Sequence, residues 1–168
     1  MTTINILCIG DVVGKPGREV LDGYLKQIQA ENDIDFTSVN IENSASGFGI
    51  TKRIYSDLLN LKIDVFTSGN HIYRNKDIMA SFNSYKKLLR PANFPANNPG
   101  TGYSIFSKGN VKIGFINLIG RVFMGDYDCP FQSADKILDI IKKETDIIVV
   151  DFHAEATSEK RALGLYLD

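Results

Sequence analysis

The chain has 168 residues, 43% apolar and 23% charged, with 20 acidic against 19 basic side chains and a formal net charge of −1. That length suits a single domain over residues 1–168 with a sizeable core, and the near-neutral balance excludes a global attraction to nucleic acid or to an anionic membrane. No apolar run approaches membrane-spanning length, and two cysteines make no disulfide framework.

The first apolar run, Ile4–Ile9, lacks a preceding basic region and ends early at Gly10-Asp11, so it reads as a strand and not as a signal peptide. Cys8 within it reads as a buried thiol, and Cys129 as an incidental one in a loop, as expected in a reducing cytoplasm. After a loop over Gly10–Gly17, Val20, Leu21, Tyr24, Leu25 and Ile28 recur at helical spacing. Phe36–Ile41 is a second strand. A glycine-bearing loop then leads to a helix with Ile54, Tyr55, Leu58 and Leu59 on one face. Asp64–Ser68 is a third strand, followed by a short helix near Asp77–Phe82.

The βαβαβ order argues for a mostly parallel sheet flanked by helices, hence an α/β fold. Lys86, Lys87 and Arg90 form a small basic group read as a solvated helix face or end, as do Lys142 and Lys143. Arg90–Gly102 and Ile119–Gln132 read as loops. Gly102–Ser107 and Val111–Leu118 read as strands joined by a hairpin turn at Lys108-Gly109-Asn110. Ser133 is placed to cap a helix with Ile137, Leu138, Ile140 and Ile141 toward the core. Ile147–Asp151 is a further strand, and a last helix runs from about Ser158 to Leu167.

Polar clusters stand directly after four of these strands: Gly10-Asp11, Glu42-Asn43, Gly69-Asn70-His71 and Asp151-Phe152-His153. The strands before them are apolar enough to be covered on both faces. In a parallel α/β sheet, the carboxyl ends of the strands open into one crevice where ligands bind. Taken singly, each residue has a bland role: Asp11 as a turn or cap residue, the asparagines in turns, the histidines as satisfied structural groups. A carboxylate directly after an apolar strand, as at Glu42, is costly unless paired or coordinated. Together they make a set of oxygen and imidazole donors suited to Mn²⁺, Fe or Zn²⁺ better than Ca²⁺. Two such cations can stabilise attacking and leaving oxygens at phosphorus and lower the pKa of a bridging water. A histidine left off the metals can protonate the leaving alkoxide.

Gly10-Asp-Val-Val-Gly14-Lys15-Pro16 imitates a nucleotide phosphate loop but fails its rules. Three residues, not four, separate the glycines, and Pro16 stands where a metal-binding hydroxyl is required.

Ile9-Gly10-Asp11-Val12-Val13-Gly14, Asn40-Ile41-Glu42-Asn43, Thr67-Ser68-Gly69-Asn70-His71 and the run Asp151–Lys160 resemble the YmdB-type metallophosphoesterases of the calcineurin-like superfamily. Leu89-Arg90-Pro91-Ala92-Asn93 and Asn117-Leu118-Ile119-Gly120-Arg121 match as well. The resemblance covers nearly the whole chain in order. It implies a calcineurin-like layered fold and a phosphodiesterase acting on small-molecule cyclic nucleotides, 2′,3′-cyclic and also 3′,5′-cyclic. It implies two divalent ions, Fe or Mn ahead of Zn or Mg, and a metal-bridging hydroxide as nucleophile. Asp11 and Asn43 would ligate the first metal, Glu42 would bridge both, Asn70 and His153 would ligate the second, and His71 would donate the proton.

The family pattern continues beyond the last helix into a strand with a Gly-His-Thr-His motif, so the chain reads as a C-terminally truncated version. The alternative is a non-catalytic remnant that binds a nucleotide or partner with part of a metal site. A cytoplasmic location, no membrane contact and no strong nucleic-acid signal are expected, and a homo-oligomer is compatible with the sequence.

Overall fold

The computed structural model describes residues 3–168. Two compact units divide at Leu88 and Leu89.

The first unit runs β1 (Ile6–Ile9), α1 (Gly14–Glu31), β2 (Phe36–Asn40), α2 (Lys52–Leu59), β3 (Val65–Thr67), α3 (Lys76–Met79) and a 3-10 turn at Phe82–Ser84. Its sheet has the order β1-β2-β3, every pair parallel. The expected βαβαβ order is therefore present. β2 and β3 are buried throughout, because β2 is central and the outer edge of β3 is covered where the Phe66 N–H donates to the Lys87 carbonyl.

Expected coverage of β1 on both faces fails. Cys8 is exposed, not buried, and the rest of β1 is only half-buried; among the described residues β2 is its one strand neighbour. β1 also begins later than expected, because the Asn5 N–H bonds the Asp35 carboxylate. α1 starts at Gly14, inside the expected loop. Pro16 falls in its first turn, where a missing N–H costs nothing. Leu21 and Leu25 are buried, but Val20 and Tyr24, from the same apolar spacing, are 60% and 58% exposed. α2 is capped by Thr51, whose hydroxyl accepts from the Ile54 N–H at 3.2 Å. Tyr55 and Leu58 face its core, whereas Leu59 is exposed.

The basic group at 86–90 is not a helix face. Lys87 Nζ donates to the Ile63 carbonyl at 2.6 Å, and Arg90 is 8% exposed, its guanidinium donating to the Pro91 carbonyl at 2.7 Å.

The second unit comprises β4 (Tyr103–Lys108), β5 (Val111–Ile119), α4 (Pro130–Ile141), β6 (Ile148–His153) and α5 (Thr157–Leu167). β5 is central, antiparallel to β4 and parallel to β6. The strands are thus shared between two three-stranded sheets, three pairs parallel and one antiparallel. The hairpin forms as expected, with Lys108 opposite Val111 and Gly109 at φ +58°, a conformation that favours glycine. Ser133 does not cap α4. The helix begins four residues earlier with Cys129 as N-cap and Pro130 in its first turn, where the fixed φ of proline is already helical. Ile137 and Ile141 pack with Ile116, Leu118, Ala134 and Leu163, while Ile140 is 46% exposed. β6, an edge strand, is half-buried along its length.

Candidate metal and phosphoester site

Asp11, Glu42, Asn43, Asn70 and His71 all follow the carboxyl ends of the parallel strands β1, β2 and β3. Two backbone bonds tie these ends together: Val12 N–H to the Asn40 carbonyl, and Gly14 N–H to the Asn43 carbonyl, both 2.9 Å. The 41–51 loop is folded on itself. Ser44 Oγ donates to the Ile41 carbonyl at 2.7 Å, Ala45 N–H to the Gly49 carbonyl and Gly47 N–H to the Asn43 carbonyl. The Arg18 guanidinium donates to the Ser44 carbonyl. Such a loop holds its side chains in place before any ligand arrives.

Glu42 is fully buried. Its Oε2 accepts from the His71 backbone N–H at 3.0 Å, and its Oε1 from Asn43 Nδ2 at 3.3 Å. The same Asn43 Nδ2 donates to Asp11 Oδ2 at 3.1 Å. Carboxylate oxygens of Asp11 and Glu42 come within 4.8 Å of each other. Two carboxylates this close repel unless a donor or cation offsets them. Asn43 Oδ1 lies 2.8 Å from His71 Nδ1, and Glu42 Oε1 lies 3.5 Å from the same nitrogen. With Asn43 Oδ1 accepting, Nδ1 carries a proton and Nε2 is the outward nitrogen.

Four of the six anticipated residues are therefore linked by side-chain contacts: Asp11, Glu42, Asn43 and His71. Asn70 precedes His71 in the turn after β3, half-buried. His153 ends β6 in the second unit, opposite Ile119 of β5, and Asp151 pairs in register with Asn117. The donor chemistry fits a hard or borderline divalent cation: two carboxylates, amides and imidazole, with one carboxylate too buried to be neutralised by water.

Phe48 escaped the sequence reading. It stands 58% exposed with its ring edge-on to the His71 imidazole, centroids 4.9 Å apart. The signal was the glycine on either side, since Gly47 and Gly49 both adopt positive φ and fix where that ring projects. Two stretches of the sequence pattern are scaffold. Asn93 bonds both the N–H and the carbonyl of Ile119, at 2.9 and 2.8 Å. Glu159 accepts from the backbone N–H groups of Arg121 and Val122, so the loop after β5 is held by α5.

The model of the YmdB-like protein family matches residues 7–168. A 2′,3′-cyclic-nucleotide 2′-phosphodiesterase of Bacillus subtilis (strain 168) is 42% identical over 165 residues, 98% of this chain and 62% of its own length. A hypothetical protein from Thermus thermophilus superimposes with a TM-score of 0.89 at 36% identity, over 97% of this chain and 63% of that one. A novel phosphatase from Mycoplasma pneumoniae gives 0.91 at 32% identity, over 100% of this chain and 61% of that one. The chain spans about three-fifths of the length of the curated relatives it matches.

Proposed function

The chain belongs to the YmdB-like family, and from that premise we propose that it acts as a metal-dependent phosphodiesterase on 2′,3′-cyclic nucleotides, with 3′,5′-cyclic ones as a second class. The observation that carries this reading is the fully buried Glu42 carboxylate, joined to Asp11 through one Asn43 amide and to His71 through its backbone. A buried acid so close to a second acid is the arrangement that a divalent cation stabilises. The substrate class is supported by the name of the Bacillus subtilis relative.

Asp11 and Asn43 would hold one ion, Glu42 would bridge, and Asn70 with His153 would hold a second. Fe or Mn suits this oxygen-rich set, with Zn or Mg next. When bound, the pair supplies Lewis acidity at phosphorus and lowers the pKa of water. His71 has the separate task of protonating the departing 2′ oxygen from Nε2. Asn43 Oδ1 and Glu42 Oε1 both face Nδ1, so the ring is oriented with Nε2 outward.

The test measures metal content beside turnover of 2′,3′-cyclic AMP after loading with Mn²⁺. Glu42→Gln should lose bound metal, because a neutral amide bridges two cations poorly. His71→Ala should keep metal and lose turnover by about 10²–10⁴-fold. Unchanged metal content in Glu42→Gln overturns the assignment. Metal and nucleotide binding without turnover in the parent chain identifies a binding module instead.

A further inference from the structure

Residues 46–49 hold a costly backbone. Ser46, Gly47 and Gly49 adopt φ +56°, +94° and +73°, and for Ser46, which has a Cβ, the left-handed region is unfavourable. What this conformation achieves is the placement of one side chain. Phe48 stands 58% exposed, an apolar ring kept in water although burial is its favoured state. Its backbone is fastened on both sides. The Phe48 N–H donates to the Ala45 carbonyl at 3.1 Å and the Ala45 N–H to the Gly49 carbonyl at 2.9 Å, while Asn75 Nδ2 donates to the Phe48 carbonyl at 3.4 Å. Gly49 sits so close to the turn after β3 that a Cβ there would lie 3.3 Å from the His71 carbonyl oxygen. The loop that carries Phe48 and the turn that carries His71 are thus clamped together. Strained backbone that persists in a well-bonded loop, beside a candidate proton donor, marks a ligand contact to be tested.

The position of the ring matches the dimensions of the substrate. Its centroid is 4.9 Å from that of the His71 imidazole, with the two planes 83° apart. That contact uses a minor part of the phenyl surface, since more than half of the residue remains open. In a 2′,3′-cyclic nucleotide, only C2′ and C1′ stand between the 2′ oxygen and the base. With His71 Nε2 at that oxygen, the base falls within about one ring's width of the imidazole, which is where Phe48 stands. The two rings divide the substrate between them: imidazole at the sugar oxygen, phenyl against the base.

We propose that Phe48 is the stacking platform for the nucleobase, and that it makes the site select nucleoside cyclic phosphates over cyclic phosphodiesters that lack a base. This rests on the phosphodiesterase reading above, with His71 as the proton donor. Every base has a π-face, so such a platform accepts any base and holds purines, with their larger face, more firmly than pyrimidines. Stacking of one base on an aromatic side chain strengthens binding by about 5–150-fold.

The experiment compares two probes on the Mn²⁺-loaded chain by titration calorimetry: 2′,3′-cyclic AMP, and methyl β-ribofuranoside 2,3-cyclic phosphate, in which a methoxy group replaces the base. The nucleotide should bind about 5–150-fold tighter. Phe48→Ala and Phe48→Leu should each lower that ratio at least about fivefold, the second while keeping an apolar side chain in place. The sequence contains no tryptophan, so Phe48→Trp supplies a single reporter. Its emission should be quenched by 2′,3′-cyclic AMP and left unchanged by the base-free probe. An unchanged ratio in the Ala and Leu variants, whether both probes hold or weaken together, would overturn the proposal and leave the phosphodiesterase reading intact, Phe48 then serving only to pack His71. Failure of the wild-type chain to bind or hydrolyse either probe would overturn both readings together.

Discussion

Asn43 presents its side-chain oxygen to His71 Nδ1 at 2.8 Å and its nitrogen to both carboxylates, 3.1 Å from Asp11 and 3.3 Å from Glu42. One planar group therefore meets the acid pair at one end and sets the imidazole tautomer at the other. An amide ligates a cation through oxygen alone. If Asn43 holds a metal, its amide must turn end for end, and His71 Nδ1 then meets an N–H in place of a carbonyl. The proton of a neutral imidazole moves to Nε2. Titration with diamagnetic Zn²⁺ should shift the ¹⁵N resonance of His71 Nδ1 from the protonated to the unprotonated range. A bound ion that leaves that resonance unchanged would remove Asn43 from the ligand set.

Tyr55 gives the fold an alkaline limit. Burial, opposed by a hydrogen bond with the Lys87 backbone and reinforced by Tyr85, pushes its phenol from 10.0 up to about 12. The folded state thus keeps a proton that the unfolded chain loses near pH 10. The stability this contributes is fully present below pH 10 and is lost as pH rises from 10 to about 12. Urea unfolding of the parent chain should show a falling midpoint across that window, and Tyr55→Phe should flatten it. An equal slope in both proteins would place the titration elsewhere.

Asn93 stands in for a strand partner at the end of β5. It accepts from the Ile119 N–H and donates to the Ile119 and Asp128 carbonyls, and it is 1% exposed. Asn93→Leu keeps the volume but leaves buried backbone groups without their bonds, at about 1–3 kcal/mol each. The expected loss is of order 3 kcal/mol in chemical denaturation. A loss near zero would mean that the Ile119 groups find other partners.

The first unit was legible in the sequence because its strands are short, apolar and separated by helical periodicity, which leaves few orders of assembly. The clusters after β1, β2 and β3 converge for the same reason: side chains at the same end of neighbouring parallel strands are neighbours in space. What the sequence hid has local causes. Arg90 resembles a surface cation by type, yet its guanidinium serves the Pro91 carbonyl in the interior. Cys8 resembles a core residue by its apolar neighbours, yet it is exposed on β1, whose one strand neighbour among the described residues is β2. Val20 and Tyr24 follow the helical period but stand exposed, since periodicity tells which residues share a face and not whether that face is covered. Ser133 lost the cap of α4 to Cys129 because Pro130 nucleates the helix first.

Gly49 tests whether the loop geometry that carries Glu42, Asn43 and Phe48 matters. It has φ +73°, and a Cβ there would lie 2.7 Å from Asn75 Nδ2, 3.0 Å from Arg74 Cβ and 3.3 Å from the His71 carbonyl oxygen. Gly49→Ala therefore meets two penalties, the left-handed backbone at about 1–2 kcal/mol and a clash against the segment that carries His71. Gly109 isolates the first penalty. It has φ +58° at the tip of the β4–β5 hairpin, and a Cβ there would meet nothing within 4 Å. Gly109→Ala should cost about 1–2 kcal/mol in thermal unfolding and leave the His71 ring resonances where they are. Gly49→Ala should cost more and displace those resonances, because the Gly49 backbone pins Phe48 against the imidazole at 4.9 Å. Equal losses in the two variants, with His71 undisturbed in both, would show that the 41–51 loop yields freely and does not hold the site.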